Sequence, residues 1–192
     1  MKPKLAAEVQ GVLAFLAAIW IAFAVASVLP SLNDYGVKPR TLSGLVGIPA
    51  MPFLHANLQH VVSNTVPLFV LLMLLASSKA RLWEIVAAIV LLGGALLWLF
   101  GRFANHIGAS GLIFGMIGFL IVSGLVEKRL IPLAISVAVG ILYGGTLLSG
   151  VVPKLGSHVS WDGHLCGAIA GGIVAYVFDK STARDEPIPD ET

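Results

Sequence analysis

The chain has 192 residues, 57% of them hydrophobic and only 11% charged, with a mean hydropathy of +0.93. Soluble domains run nearer a quarter charged, so this composition belongs to a helical protein built for lipid. A net charge of +2, carried on scattered basic residues, argues against a nucleic-acid partner, and the lone cysteine, Cys166, rules out an intrachain disulfide or a cysteine metal cluster.

A membrane-spanning helix needs roughly 20 mainly apolar residues. Six stretches approach that length: about 11–29, 60–77, 82–101, 109–126, 131–150 and 161–178. The expected fold is therefore all-α, a six-transmembrane-helix bundle over 11–178. Residues 1–10 form a short leading segment, and the polar stretch 179–192 is expected to be disordered. Ala24, Val25 and Ala26 resemble a signal cleavage site, but the apolar run before them is too long for a signal peptide.

Six spans put both ends on one side. That side carries Lys2, Lys4, Lys79, Arg81, Lys128, Arg129, Lys180 and Arg184, against Lys38, Arg40, Arg102 and Lys154 on the other. The bias predicts cytoplasmic termini. Trp83, Trp98 and Trp161 fall near span ends, as interfacial aromatic residues do. The loop 30–59 then faces outward. Leu42, Leu45, Val46, Ile48, Met51, Phe53 and Leu54 lie there among glycines and prolines, a composition expected of a loop that enters the membrane interface. Short loops suggest a bacterial plasma membrane.

Polar groups inside a bilayer are costly and mark function by default. Here they gather at three helix starts: His55, His60 and Asn64 before and in span two, Ser110 in span four, and His164 in span six. The topology puts all three at one membrane depth. A serine hydroxyl becomes a useful nucleophile when a neutral imidazole accepts its proton, so the set suits acyl transfer. Ser110 at a helix start would also sit beside unpaired N–H groups and the positive end of the dipole. Asn64 lies four residues after His60, on the same helical face, where both could add oxyanion donors. Span four has Gly111, Gly115 and Gly118; span six has Gly163, Gly167 and Gly171. Both contain G-x-x-x-G, which lets helix backbones approach closely in lipid and would bring His164 to Ser110.

Three motifs occur in order: His55, His60 and Asn64 as H-x-x-x-x-H-x-x-x-N; Gly108, Ser110 and Gly111 as G-x-S-G; His164, Gly167 and Gly171 as H-x-x-G-x-x-x-G. Together they resemble the rhomboid family of intramembrane serine proteases across the whole six-helix core. The resemblance implies hydrolysis of peptide bonds within or near transmembrane segments of membrane-protein substrates, with neither metal nor other cofactor. It implies Ser110 as nucleophile and His164 as general base, with Asn64, His60, Gly108 and the Ser110 backbone N–H at the oxyanion and substrate site. Phe114 matches an aromatic residue that packs against the base, where many relatives carry tyrosine. The first outer loop lacks the Trp-Arg pair of many relatives, so no role is carried over from it.

Plainer readings compete. Ser110 could be a simple helix cap, and His60 and Asn64 could anchor the first loop. His55 reads as a structural loop residue, and His106 and His158 as solvated or interfacial. Cys166 lies about 200° round the helix from His164, which disfavours a Cys–His pair. The same angle directs Asp162 away from His164, so a Ser–His dyad is expected, with Asp162 capping span six. A transporter would distribute polar groups across the midplane rather than at one side. An inactive client-binding relative would typically have lost the serine or histidine.

Overall fold

The computed structural model describes residues 3–78, 81–153 and 159–184. Its elements in chain order are α1 (Pro3–Val28), a short α2 (Gly47–Ala50) inside the first loop, α3 (Leu58–Ser78), α4 (Leu82–Phe100), α5 (Ser110–Glu127), α6 (Leu130–Val151) and α7 (Trp161–Arg184). Helices α1, α3, α4, α5 and α6 are each long and apolar enough to cross a bilayer. Helix α7, at 24 residues, is the sixth long helix among the described residues and is less apolar, with Asp162 and His164 in its first turn and a polar run over 179–184 at its end. In lipid every backbone N–H and C=O must be satisfied within the chain, and long helices achieve this segment by segment.

Helix α5 is the axis of the bundle, with 67% of its spanning stretch buried, against 11% for the peripheral α6. Its most extensive neighbour is α7. The glycines explain the intimacy. A methyl group built on Gly167 would overlap the Gly111 carbonyl, with its carbon at 2.9 Å, and one on Gly171 would overlap the Gly115 carbonyl, with its carbon at 2.7 Å. Bare backbones thus touch along one seam, the contact that G-x-x-x-G permits. Helix α4 joins the same seam from the other side, where Gly93 faces the Gly167 Cα.

Two segment boundaries differ from expectation. Helix α1 begins at Pro3, ahead of the span expected from about residue 11, so the leading segment is itself helical from Pro3 on. Helix α7 continues to Arg184, so 179–184 extends the last helix, while 185–192 lies outside the described residues. His158 and Lys154 also lie outside them.

The first loop is a folded part of the domain. Three 3-10 turns, Pro30–Tyr35, Ser43–Leu45 and Met51–Phe53, fold it back on itself. Val37 and His106 exchange backbone hydrogen bonds at 2.9 Å. Ile48 packs against Gly94 of α4, and Met51, Pro52 and Leu54 are buried. Leu42 and Val46 stay exposed at 85% and 56%, leaving an apolar rim. Arg40 donates to the carbonyls of Leu99 and Gly101 at 3.0 and 2.9 Å. It thereby satisfies carbonyls at the end of α4 that have no partner within the helix.

Candidate active site

Ser110 is the first residue of α5, with Ala109 at the cap position. Three contacts hold the preceding turn. Gly108 has φ +116°, a conformation that excludes most side chains. A carbon added there would also meet the His60 ring at 2.6 Å. Its N–H donates to the Met51 carbonyl at 2.9 Å, and the Ala109 N–H approaches His55 Nε2 at 3.5 Å. The serine turn is therefore clamped between the first loop and the start of α3.

His164 lies one turn into α7, whose start is capped by Ser160: the Gly163 N–H donates to its Oγ at 3.3 Å, and the His164 N–H to its carbonyl at 3.0 Å. Three groups among the described residues hold the imidazole. Its Nε2 is 2.8 Å from Ser110 Oγ, its Nδ1 is 3.0 Å from the Gly150 carbonyl oxygen at the end of α6, and its face stacks on Phe114 at 4.0 Å between centroids and 11° between planes. A carbonyl oxygen can only accept, so Nδ1 carries the proton and Nε2 is left free to accept from the Ser110 hydroxyl. That tautomer is the one a general base requires.

Asn64 is buried, and one of its amide hydrogens goes to the His60 carbonyl one turn back at 3.0 Å. Asn57 caps α3, accepting from the His60 N–H at 2.9 Å. His60, Ser63, Asn64, Ser110, Ser160 and His164 all line one polar cavity of about 760 Å³. His55 is 1% exposed and rests edge-on against the His60 ring, with centroids 4.9 Å apart. Burial, with a smaller contribution from the charge of His60, lowers its pKa to about 4. It is thus a neutral structural acceptor at ordinary pH.

Two expectations are corrected here. Asp162 does not cap α7, a role that Ser160 fills. Its carboxylate accepts from the Arg102 backbone N–H at 2.9 Å and from the Ser160 hydroxyl at 3.2 Å, and lies 3.6 Å from the Arg102 guanidinium and 3.7 Å from His106 Nε2. His106, expected to be solvated or interfacial, is 2% exposed, and its ring nitrogens reach Ser160 Oγ at 2.7 Å and the Arg102 carbonyl at 3.1 Å. The cluster fastens the turn before Ser110 to the start of α7. Sequence reading missed Arg102 and Ser160, although a serine just before an apolar run is a cap signal. It also missed Gly150, whose backbone contact leaves no side-chain signature. Cys166 packs with Val37, Met51 and Leu97, away from the cavity.

A multi-pass helical membrane protein, with a serine at one helix start hydrogen-bonded to a histidine on the adjoining helix, is the class these features define. The model of the Rhomboid domain matches residues 42–181, and the chain belongs to the rhomboid family. It is 41% identical over 177 residues to an uncharacterized protein of Mycobacterium tuberculosis, covering 86% of this chain and 73% of that one. An uncharacterized protein of Mycobacterium leprae is 45% identical over 157 residues, covering 77% and 61%. A protein of Acanthamoeba polyphaga mimivirus named as a rhomboid protein is 29% identical over 150 residues, covering 72% and 78%.

Proposed function

We propose that this chain is an intramembrane serine endopeptidase that cleaves peptide bonds within or near transmembrane segments of membrane-protein substrates. The observation that carries the reading is the 2.8 Å contact between Ser110 Oγ and His164 Nε2, at the edge of a polar cavity in an otherwise apolar bundle. Membership of a family of proteases supports it.

In the first step Ser110 Oγ attacks the scissile carbonyl carbon while its proton passes to His164 Nε2. Negative charge moves to the carbonyl oxygen. The Ser110 backbone N–H at the start of α5, the Asn64 amide and His60 are the donors that would receive it, with Gly108 leaving room beside them. The imidazolium then gives its Nε2 proton to the departing amine as the C–N bond breaks. Water entering through the cavity hydrolyses the acyl-enzyme by the same route in reverse order. Phe114 holds the imidazole plane by stacking alone, since it lacks a hydroxyl.

The charge bias of the connecting segments supports cytoplasmic termini, which would open the cavity on the outer face of a plasma membrane. A membrane-impermeant thiol reagent should then label Ser63→Cys from outside. Labelling only from the cytoplasmic side would reverse the topology. For the activity, a fluorophosphonate probe should label wild type but neither Ser110→Ala nor His164→Ala. The double variant should turn over scarcely worse than either single one, because the pair acts as a unit. Substantial turnover by folded Ser110→Ala would overturn the mechanism.

A further inference from the structure

We infer that the backbone carbonyl of Gly150 is the third member of the catalytic unit, a positioning group that does with a neutral dipole what an aspartate does in a Ser-His-Asp triad. The inference rests on the protease reading above and adds to it a residue on α6. The carbonyl oxygen lies 3.0 Å from His164 Nδ1. It belongs to the last turn of α6, which ends at Val151. Carbonyls there have no partner within the helix and together carry the negative end of its dipole.

Three features make the contact more than incidental. First, Asp162, the acidic residue nearest in sequence, is committed to Arg102, Ser160 and His106, so its carboxylate is engaged elsewhere. Second, residue 150 needs to be glycine. A carbon built on it would overlap the Phe114 ring, with Cε1 at 2.7 Å, and would lie 3.2 Å from His164 Nδ1. Without a side chain, the end of α6 reaches the imidazole edge while Phe114 covers its face. Third, α6 is peripheral, and built carbons on Gly140, Gly144 and Gly145 would meet nothing within 4 Å. At its other end α6 is tied to α5 by the Ser136 hydroxyl, which donates to the Ile121 carbonyl at 2.9 Å, so the helix is held at both ends and Gly150 is fixed against His164.

Chemically, when the Ser110 proton reaches Nε2, the imidazole becomes an imidazolium and its Nδ1–H remains bonded to the Gly150 oxygen. The carbonyl takes no proton, since an amide oxygen is far too weakly basic. It holds the ring angle, selects the tautomer and places a negative dipole end against the transient positive charge. A hydrogen bond to a charged group of this kind corresponds to about 10- to 100-fold in rate.

Replacing Val151 by its α-hydroxy acid in the full-length protein turns the 150–151 amide into an ester, whose carbonyl is a weaker acceptor, and leaves every side chain in place. The same change at Ile141, on the exposed face of α6, is the control for a lost helix hydrogen bond. The measurements are the fluorophosphonate labelling rate of Ser110 and the Nδ1–H resonance of His164 in ¹⁵N-histidine-labelled protein. The inference expects the ester at 151 to slow labelling about 10- to 100-fold and to move that resonance upfield. The ester at 141 should change neither. A 151 ester that labels no more slowly than the 141 ester would overturn the role of Gly150, as would slowing with the resonance unmoved. Wild type that fails to label at all would instead overturn the protease reading.

Discussion

Adding one methyl group at Gly167 should disable the site from a distance. Its carbon would lie 2.9 Å from the Gly111 carbonyl carbon and 3.3 Å from the Gly111 Cα, and nearer still to the carbonyl oxygen. These obstacles are backbone atoms of α5, so no side chain can swing aside. Ordinary contact between such atoms needs about 3.5 Å or more, so α5 and α7 must part by about 1 Å. Gly111 adjoins Ser110, and Gly167 lies one turn from His164. The same movement would therefore stretch their 2.8 Å contact towards about 4 Å, beyond hydrogen-bond reach. A misplacement of about 1 Å can cost on the order of 100-fold in rate, and overpacking a tight interface costs about 1–3 kcal/mol. Gly167→Ala should thus label with fluorophosphonate about 100-fold more slowly and melt at lower temperature, and Gly167→Val should be worse on both counts. Gly172→Ala is the control on the same helix, because its added carbon would sit 3.4 Å from a Val122 methyl group. Wild-type labelling and melting by Gly167→Ala would refute the argument that bare backbone contact sets the Ser–His distance.

Asn64→Ala should slow turnover about 10- to 1000-fold in folded protein, as for removal of one oxyanion donor; unchanged turnover would remove Asn64 from the site. Asp162→Ala should cost about 1–3 kcal/mol in thermal or denaturant unfolding, because it strands the Arg102 N–H and the His106–Ser160 pair. Asp162→Asn should keep most of the activity, and a thousandfold loss of turnover in folded Asp162→Asn would make that residue catalytic. His55 contributes a pH dependence of definite sign. Its pKa of about 4 lies below the 6.5 of the unfolded chain, so between those values the unfolded state binds the extra proton. Its contribution is fully present above pH 6.5 and is lost as pH falls towards 4. His55→Gln should melt with a shallower acid dependence than wild type across that window, and identical slopes would contradict the assignment.

The six long helices were legible in the sequence because a lipid-spanning segment must be apolar over its whole length, a constraint each segment meets by itself. Ser110, His164 and Asn64 were legible because polar positions are expensive in such helices and stand out singly, and the glycine seam through its G-x-x-x-G spacing on two helices. Tertiary structure alone decided the remainder. Asp162 was read as a cap from its place at a helix start, but packing gave that role to Ser160 and turned the carboxylate to Arg102. His106 was read as solvated or interfacial because it lies in an outer loop, yet its ring is buried and reaches Ser160 and the Arg102 carbonyl. Gly150 had no sequence signal, because its contribution is a backbone carbonyl that every residue possesses. Which carbonyl meets the imidazole depends on the tilt and rotation of α6 against α5 and α7. Those angles follow from contacts between segments distant in the chain, which local composition does not encode.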